Sequence, residues 1–417
     1  MDVLVVGGGG REHAICWSLR KSQRIGRLFC APGNGGISEI AKCVGINATN
    51  INDMLAFVKE EQIDFVVVAP DDPLAIGMVD AFEAAGVRAF GPRKNAAKLE
   101  SSKVYAKAIM KKYGIPTADY KVFTDAEDAK AYVRGYGPPL VVKADGLALG
   151  KGVVVALDVD TALEAIDMMM LDRKYGDSGN RVIIEECMTG REVTVLVFTD
   201  GKSIVSMPSA QDHKRVFTGN LGPNTGGMGA FSPSPYYTPE IADLCMKTII
   251  EPTIAAMNSE GCPFKGVLYF GLMLTPRGPR VIEYNARFGD PEAQPILSLL
   301  ETDLLDIFEA VVDENLDSLR VSWLNSHACC VVVASGGYPG NYESGFLVKG
   351  LASVPDDITV FHAGTSIENE GFVTSGGRVL GVTAIGDTLA NASSRAYEGV
   401  ACINFFKAQY RTDIGLV

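Results

Sequence analysis

Short apolar runs and amphipathic stretches alternate along the first hundred residues. VLVV (Val3 to Val6) reads as a buried strand, followed by four glycines and a helical stretch from Arg11 to Lys21. RLFCAPG, a helix from Asn52 to Glu61, DFVVVAP and a helix from Leu74 to Ala85 continue the alternation. Apolar runs of this length between amphipathic helices predict a parallel sheet covered on both faces. Ligands of such sheets gather at the carboxyl ends of the strands. GGGGREH, PGNGG and PDDPLAIG are therefore expected to face one crevice.

The middle of the chain has a different rhythm. It predicts a helix from Lys103 to Tyr113, a strand from Tyr120 to Phe123, a helix from Ala126 to Arg134 and the strand PLVVKAD. A glycine-rich turn, GLALGKG, leads into VVVAL, a helix from Thr161 to Leu171 and the strand RVIIEE. REVTVLVFTDGKSIVSM reads as a hairpin turning at Asp200-Gly201. Pro208 to Pro239 is polar, rich in Gly, Pro, Asn and Ser, and aperiodic, the pattern of a functional lid or a disordered link. A helix from Pro239 to Ser259 and the strands GVLYFGLML and PRVIEYN follow. From Trp323 onward, HACCVVVAS, FLVKGL, ITVFHAGTSI and FVTSGGRVLGVTAIG read as short strands, with one helix from Leu389 to Phe406, a small β-rich domain.

Composition narrows the class. At 417 residues, 47% hydrophobic and 21% charged, the chain is long enough for two to four domains and too apolar to be disordered. A net charge of −12 argues against a general nucleic-acid binder. The start MDVLVV has no basic leader, and no stretch approaches ~20 uncharged apolar residues, so neither export nor a membrane span is expected. Nine cysteines, an odd number without a CxxC, and four histidines disfavour zinc or a disulfide framework. Reduced thiols and a cytoplasmic location are the simpler expectation.

Two glycine-rich loops fail well-known tests. GGGG after a strand is not G-x-G-x-x-G, because the third position is Glu12 or His13. Exposed N–H groups at a helix start beside Arg11 still suit a phosphate, and a plain strand-to-helix turn is the alternative. GLALGKG is not a Walker loop, since Asp145 and Gly152 occupy its first and last positions. Backbone donors with Lys143 and Lys151 suit a triphosphate; a hairpin turn with solvated lysines is the competing reading.

Carboxylates and amides supply the other candidates. Glu185 and Glu186 are adjacent on a strand, so one faces a pocket and the other solvent; a ribose or an adenine amino group would use such acceptors. In VIEYNARFGDPE, Glu283 and Asn285 share one strand face, an oxygen pair that suits Mg²⁺ completed by substrate phosphates. Arg287 shares that face if the strand continues, and could clamp a carboxylate; pairing with Asp290 or Glu292 is the alternative. Asp212, His213, Lys214 and Arg215 form a polar cluster with nothing apolar to bury them, and Gly226, Gly227 and Gly229 allow a hinge.

In this order the stretches GGGGREHA, PGNGG, LESSK, GIPTA, VVKADGLALGKGVVVA, IIEE, AQDHKR, GPNTGGMGAFSP and EYNARFGDPEAQ resemble the glycinamide ribonucleotide synthetase family of the ATP-grasp superfamily. The resemblance implies an α/β fold. Residues 1–101 would form an N-terminal parallel-sheet (Rossmann-like) domain, 102–322 an ATP-grasp core with a small lid subdomain at 118–188, and 323–417 a C-terminal β-rich domain. It implies a ligase of purine biosynthesis, joining glycine to 5-phosphoribosylamine with ATP and Mg²⁺ (or Mn²⁺) through a glycyl phosphate, and a monomer without nucleic-acid or membrane partners.

The resemblance also distributes roles. Lys103 and Lys143 match nucleotide-phosphate lysines, with Lys151 beside them. Glu185 and Glu192 look like adenine and ribose acceptors, with Glu186 adjacent. Glu283 and Asn285 match metal ligands, and Arg287 looks like the glycine-carboxylate clamp. Asp212 and Lys214, with Gly8, Gly9, Arg11 and Asn34, are similar to the phosphoribosylamine pocket; Lys143, Asp212 and Arg287 would act in catalysis. The chain departs from the family at Ala69-Pro70-Asp71, where Gly-Pro-Glu is common, and at GLMLT, which offers no acidic metal ligand. Two other readings stay open: another ATP-grasp carboxylate–amine ligase, and a non-catalytic nucleotide-binding protein.

Overall fold

The computed structural model describes residues 1–148, 152–369 and 371–416. Its first sheet is parallel, as the apolar runs predict. Strands β1 (Val3–Gly7), β2 (Leu28–Pro32), β3 (Lys42–Cys43), β4 (Phe65–Val68) and β5 (Arg88–Phe90) lie in the order β3-β2-β1-β4-β5. Every residue of β1 is buried, which explains a strand apolar on both faces. Helices α1 (Gly10–Leu19) and α2 (Ile51–Glu60) match expectation to within two residues. The helix expected over Leu74 to Ala85 is two, α3 (Asp71–Ile76) and α4 (Met78–Ala84), because Gly77 between them takes φ +95°.

Helices α5 (Lys94–Ser101) and α6 (Lys103–Lys112) lead to a four-stranded antiparallel sheet. It is built from β6 (Tyr120–Phe123), β7 (Leu140–Ala144), β8 (Val153–Ala156) and β9 (Val182–Glu186), in the order β6-β9-β7-β8. Helices α7 (Ala126–Tyr136) and α8 (Val159–Ile166) cover it. Ala129, Val133, Val142, Ile166 and Ile184 close a core of their own there. Of the turn joining β7 to β8, Leu149, Gly150 and the candidate Lys151 lie outside the described residues.

A second antiparallel sheet faces the first. Strands β10 (Arg191–Thr199) and β11 (Ile204–Ser206) form the expected hairpin. The Pro208 to Pro239 stretch is not a disordered link. It carries β12 (Gln211–Asp212), β13 (Arg215–Phe217), β14 (Leu221–Asn224) and β15 (Gly229–Ser232). The reason is tertiary: β15 pairs along a strand of the C-terminal sheet and Phe231 enters that sheet's core, a partner that local periodicity does not reveal. Helices α9 (Pro239–Cys245) and α10 (Glu251–Ser259) join through a wider turn at Met246–Ile250, and β16 (Gly266–Thr275) and β17 (Gly278–Asn285) complete the sheet in the order β11-β10-β16-β17.

After α11 (Ala293–Ser298) and α12 (Leu304–Val312) comes the β-rich tail. It contains β18 (His327–Ala334), β19 (Thr359–His362), β20 (Thr365–Glu368), β21 (Gly371–Thr374), β22 (Arg378–Gly386) and α13 (Leu389–Cys402). FLVKGL makes only isolated bridges at Leu347 and Lys349 instead of a strand, and the last helix stops at Cys402 rather than Phe406. Among the described residues no helix is long and apolar enough to cross a membrane.

Candidate active site between the two antiparallel sheets

A cavity of about 1150 Å³ is lined by residues of α5, α6, both antiparallel sheets, the β12–β15 segment and the C-terminal region. One end is rich in lysine. Ser102 caps α6 by accepting the Tyr105 N–H at 3.2 Å, which fixes Lys103 at the first helical position. The Lys103 ammonium donates to the Gly146 carbonyl at 3.2 Å. Burial lowers its pKa, against the pull of Glu283. Lys143 projects from β7 and donates to the Ile282 carbonyl at 3.0 Å. Ile282 is the extra residue of a bulge, where the partner of Glu283 is Gly271 but the partner of Val281 is Leu272. That bulge turns a carbonyl toward the cavity for Lys143 to use.

Glu185 departs from expectation. Rather than offering a free acceptor, its carboxylate lies between Lys143 Nζ at 2.9 Å and Lys107 Nζ at 3.1 Å, nearly sealed from solvent. Lys107 also donates to Thr117 Oγ1 at 2.7 Å, and burial pushes its pKa down to about 8 although Glu185 pulls upward. No motif singles out Lys107, a lysine on the ordinary amphipathic helix α6. Glu186, which also lines the cavity, is held by Arg277 and, at 3.2 Å, by Arg280. Glu192, at the start of β10, keeps a half-exposed carboxylate at the cavity, 3.9 Å from Lys214.

Glu283 and Asn285 both line the cavity from β17. Burial raises the Glu283 pKa, but Lys214, Lys143 and Lys103 outweigh it and hold the carboxyl at about 2. An ionised carboxylate and an amide oxygen are hard donors that fit a divalent cation sharing phosphate oxygens. Among the described residues no group of three or more His, Cys, Asp and Glu could hold a metal alone.

The strand stops at Asn285, so Arg287 does not extend its face as a continuing strand would. Its side chain still reaches the cavity, yet pairs with neither Asp290 nor Glu292. Arg287 Nη2 meets Glu100 Oε1 at 2.6 Å and Asn285 Oδ1 at 3.3 Å, while the buried Nε has no partner. Glu100 belongs to LESSK and also accepts the Ala286 N–H at 2.7 Å. Asp71 lines the same cavity; burial raises its pKa, but Arg287 and Arg11 bring it below the ordinary value.

Gln211 to Arg215 of AQDHKR all line the cavity. Asp212 and Lys214 face the cavity, Lys214 lying 3.4 Å from Glu283. His213 is buried toward the C-terminal core against the Phe231 ring at 5.8 Å, contrary to the expectation of an unburied cluster. The Gly226-Gly227 segment is held from the C-terminal region. Tyr338 Oη accepts the Gly226 N–H at 3.0 Å, and Arg378 Nη1 donates to the carbonyls of Gly226 at 2.7 Å and Asp290 at 2.6 Å. Neither residue stood in a motif.

The glycine loop after β1 is not the open anion cradle expected. Glu12 Oε2 takes the Gly9 N–H at 2.6 Å and Glu12 Oε1 pairs with Arg11 Nε at 2.8 Å, so a carboxylate of the chain already sits at the helix start. Asn34 Nδ2 donates to the carbonyls of Gly8 at 2.9 Å and His362 at 2.8 Å. The loops after β1 and β2 thus meet each other, as predicted. Gly8, Gly9 and Asn34 do not line the cavity, whereas Arg11 does.

Two antiparallel sheets closing on a lysine-lined cavity, flanked by a parallel-sheet domain, define the ATP-grasp class of ATP-dependent ligases. Family models for phosphoribosylglycinamide synthetase match three successive stretches: the N domain over 1–100, the ATP-grasp (A) domain over 101–293 and the C domain over 328–417. The chain is 46% identical to the phosphoribosylamine–glycine ligase of Caldanaerobacter subterraneus subsp. tengcongensis, over 99% of both chains. It is 48% identical to that of Neisseria meningitidis serogroup A, over 99% of this chain and 98% of the relative. The crystal structure of the Thermotoga maritima phosphoribosylamine–glycine ligase superposes with a TM-score of 0.85 at 32% identity, covering 99% of this chain and 100% of that one. A biotin carboxylase from Campylobacter jejuni shares the fold alone, at TM-score 0.75 and 13% identity, over 100% and 94% of the two chains. The chain belongs to the phosphoribosylglycinamide synthetase family.

Proposed function

We propose that the protein ligates glycine to 5-phosphoribosylamine, converting ATP to ADP and phosphate and releasing glycinamide ribonucleotide for purine biosynthesis. The observation that carries this reading is the union, in one cavity, of a lysine-rich end with the AQDHKR, GPNTGG and RFGDPE residues, in a chain aligned end to end with ligases of that name. The glycine carboxylate attacks the γ-phosphorus, ADP leaves, and the amine of phosphoribosylamine displaces phosphate from the acyl phosphate. A carboxylate is a poor acyl donor and phosphorylation supplies the leaving group, so the protein's task is alignment, charge neutralisation and exclusion of water.

In this reading Lys103 and Lys143 hold the nucleotide phosphates, and Glu192 takes the ribose hydroxyls. Glu185 positions Lys143 instead of touching the base. Glu283 and Asn285 would hold a divalent cation, which supplies Lewis-acid neutralisation of the phosphate oxygens. Arg287, oriented by Glu100, clamps the glycine carboxylate with its planar fork. Arg11, Asp212 and Lys214 serve the phosphoribosylamine side, and Gly8, Gly9 and Asn34 shape the wall behind Arg11. Residues 118–188 act as the lid over ATP, with domain limits at 101 and 322; strands β12 and β15 are lent to the C-terminal sheet.

The test is a coupled assay with freshly prepared phosphoribosylamine. ADP release is expected to need glycine and phosphoribosylamine together. ADP release indifferent to both substrates would refute ligation.

A further inference from the structure

Strands β13 and β14 form a two-stranded sheet of their own, in which Arg215 pairs with Asn224 and Phe217 with Leu221. A hairpin of two strands is marginally stable by itself in water. This one tucks Val216 against Met228 and Ala334 and leaves Phe217 and Leu221 exposed. Its turn takes Gly219, Asn220 and Gly222 through the left-handed region, at φ +76°, +57° and +79°. Yet it directly follows Lys214 and stands at the cavity. The Lys214 carbonyl accepts the Thr225 N–H and hydroxyl, both at 2.8 Å, and Arg215, Asn220 and Asn224 line the cavity wall.

Arg411, Thr412 and Asp413 fasten this hairpin. Arg411 is fully buried. Its Nη1 donates to the Arg215 carbonyl at 3.0 Å and to Asn220 Oδ1 at 2.9 Å, while Nε and Nη2 donate to the two Asp413 carboxylate oxygens at 2.7 and 2.6 Å. Asp413 Oδ2 accepts the Gly219 N–H at 3.0 Å, and the Thr412 N–H donates to Thr218 Oγ1 at 3.1 Å. The segment is itself anchored in the C-terminal core. Tyr397 Oη donates to the Arg411 carbonyl at 2.8 Å and accepts the Ile414 N–H at 3.0 Å, and Ile414 is buried there. Arg411 and Asp413 border the cavity, but each nitrogen of Arg411 already donates within the chain. A buried ion pair adds little net stability, because desolvation offsets its attraction; what it can supply is one fixed geometry. A planar fork can bridge a carbonyl, an amide and a carboxylate at once, whereas a point charge cannot.

We propose that Arg411 is a positioning residue for the ligation: by gripping Arg215 and Asn220 it holds the β13–β14 hairpin, and through it Lys214, on the phosphoribosylamine side of the cavity. The proposal rests on the glycine-ligation reading and adds a residue that touches no substrate. Lys214 lies 3.4 Å from Glu283 and 3.9 Å from Glu192, a placement that depends on where its backbone is held. A hairpin released from Arg411 lets that backbone shift. The acceptor amine must be aligned with an acyl phosphate, so the lost preorganisation falls on phosphoribosylamine. ATP, met by Lys103 and Lys143 on other elements, is spared.

The test combines steady-state kinetics and amide hydrogen exchange on the whole chain, in Arg411→Lys and Thr218→Val. The lysine keeps the charge and loses the fork; the valine keeps the shape of Thr218 and removes the acceptor of the Thr412 N–H. Arg411→Lys is expected to raise KM for phosphoribosylamine ~10-fold or more and Thr218→Val ~3-fold, with KM for ATP within ~2-fold of wild type in both. Exchange should quicken over residues 215–224 and stay unchanged in β10 and β16. A higher KM for phosphoribosylamine with unchanged exchange would mean that Arg411 touches the substrate itself, and overturns the positioning role. An unchanged KM for phosphoribosylamine, with or without a loss of overall stability, leaves Arg411 a structural residue and overturns it as well, as does a rise confined to KM for ATP. ADP release by wild type that ignores both substrates would instead sink the ligation reading, and the exchange comparison would still decide whether Arg411 holds the hairpin. Should Arg411→Lys fail to fold, Thr218→Val carries the same comparison.

Discussion

The two ends of the cavity are built on different plans. At the lysine end the charges are paired within the chain: Lys143 and Lys107 flank Glu185, and Lys143 also bonds the Ile282 carbonyl. At the other end polar atoms lack protein partners, Asp212 Oδ1 and Arg287 Nε among them. The first is a rigid frame on neighbouring strands of one sheet and the helix beside it. The second gathers Arg11, Asp212, Arg287, Glu292 and Arg378 from segments far apart in the chain. In the proposed reading the nucleotide is met by a preformed frame, and the specific substrates by groups whose hydrogen bonding the chain leaves incomplete.

Glu283 joins the two ends, and its removal should have the largest effect. Glu283→Ala is expected to lower kcat by ~10³-fold or more, about 4 kcal/mol of transition-state stabilisation, with the fold intact. Without it, Lys214 loses its partner at 3.4 Å and, in the proposed reading, the phosphates lose the carboxylate that would hold a divalent cation. Steady-state ADP release at saturating Mg²⁺ checks this. Near-normal turnover would erase the link between the two ends.

How much of this arrangement the sequence disclosed follows the same division. Glu283 and Asn285 sit two apart on one strand, so their shared face was legible; adjacency left either Glu185 or Glu186 to face the pocket, and Glu185's partner Lys107 gave no local signal. Glu100, Arg378 and Tyr338 were missed because they reach the cavity through tertiary contacts between segments that no local period links. The Pro208 to Pro239 stretch failed for the same reason: β15 borrows its partner from residues about a hundred positions away, and β12 pairs on β15 in turn. The donors of the glycine loop looked free in sequence because Glu12, which takes one of them, reads as an ordinary first-turn acid.

A smaller, graded effect should appear in acid. His13, His213 and His362 lie where the C-terminal region meets the rest of the chain, and the His362 N–H donates to His13 Nδ1 at 2.8 Å. Burial is the chief cause of their low pKa values, about 3 for His13 and about 4 for His213 and His362. The unfolded chain, with histidines near 6.5, therefore binds more protons as pH falls from about 6.5 toward 4. Stability should drop over that window by at most about 1.4 kcal/mol per pH unit for each histidine, and be flat in this respect above about pH 7. Urea unfolding at pH 7 and pH 5 measures it, and His13→Gln should make the dependence shallower. Equal dependence in the variant would show that this seam is not acid-sensitive.

The central claim is the division of labour itself, and crossed kinetics of one variant from each end tests it most directly. KM for ATP and KM for glycine are measured separately in Lys143→Met and Arg287→Lys. Lys143→Met should raise KM for ATP and leave KM for glycine nearly unchanged. Arg287→Lys exchanges a planar fork for a point charge. It should raise KM for glycine and lower kcat, a combined loss of about 2–4 kcal/mol, while the affinity for ATP barely moves. A collapse of ATP affinity in Arg287→Lys with an unchanged KM for glycine would place that arginine in the nucleotide frame and contradict the two-ended cavity.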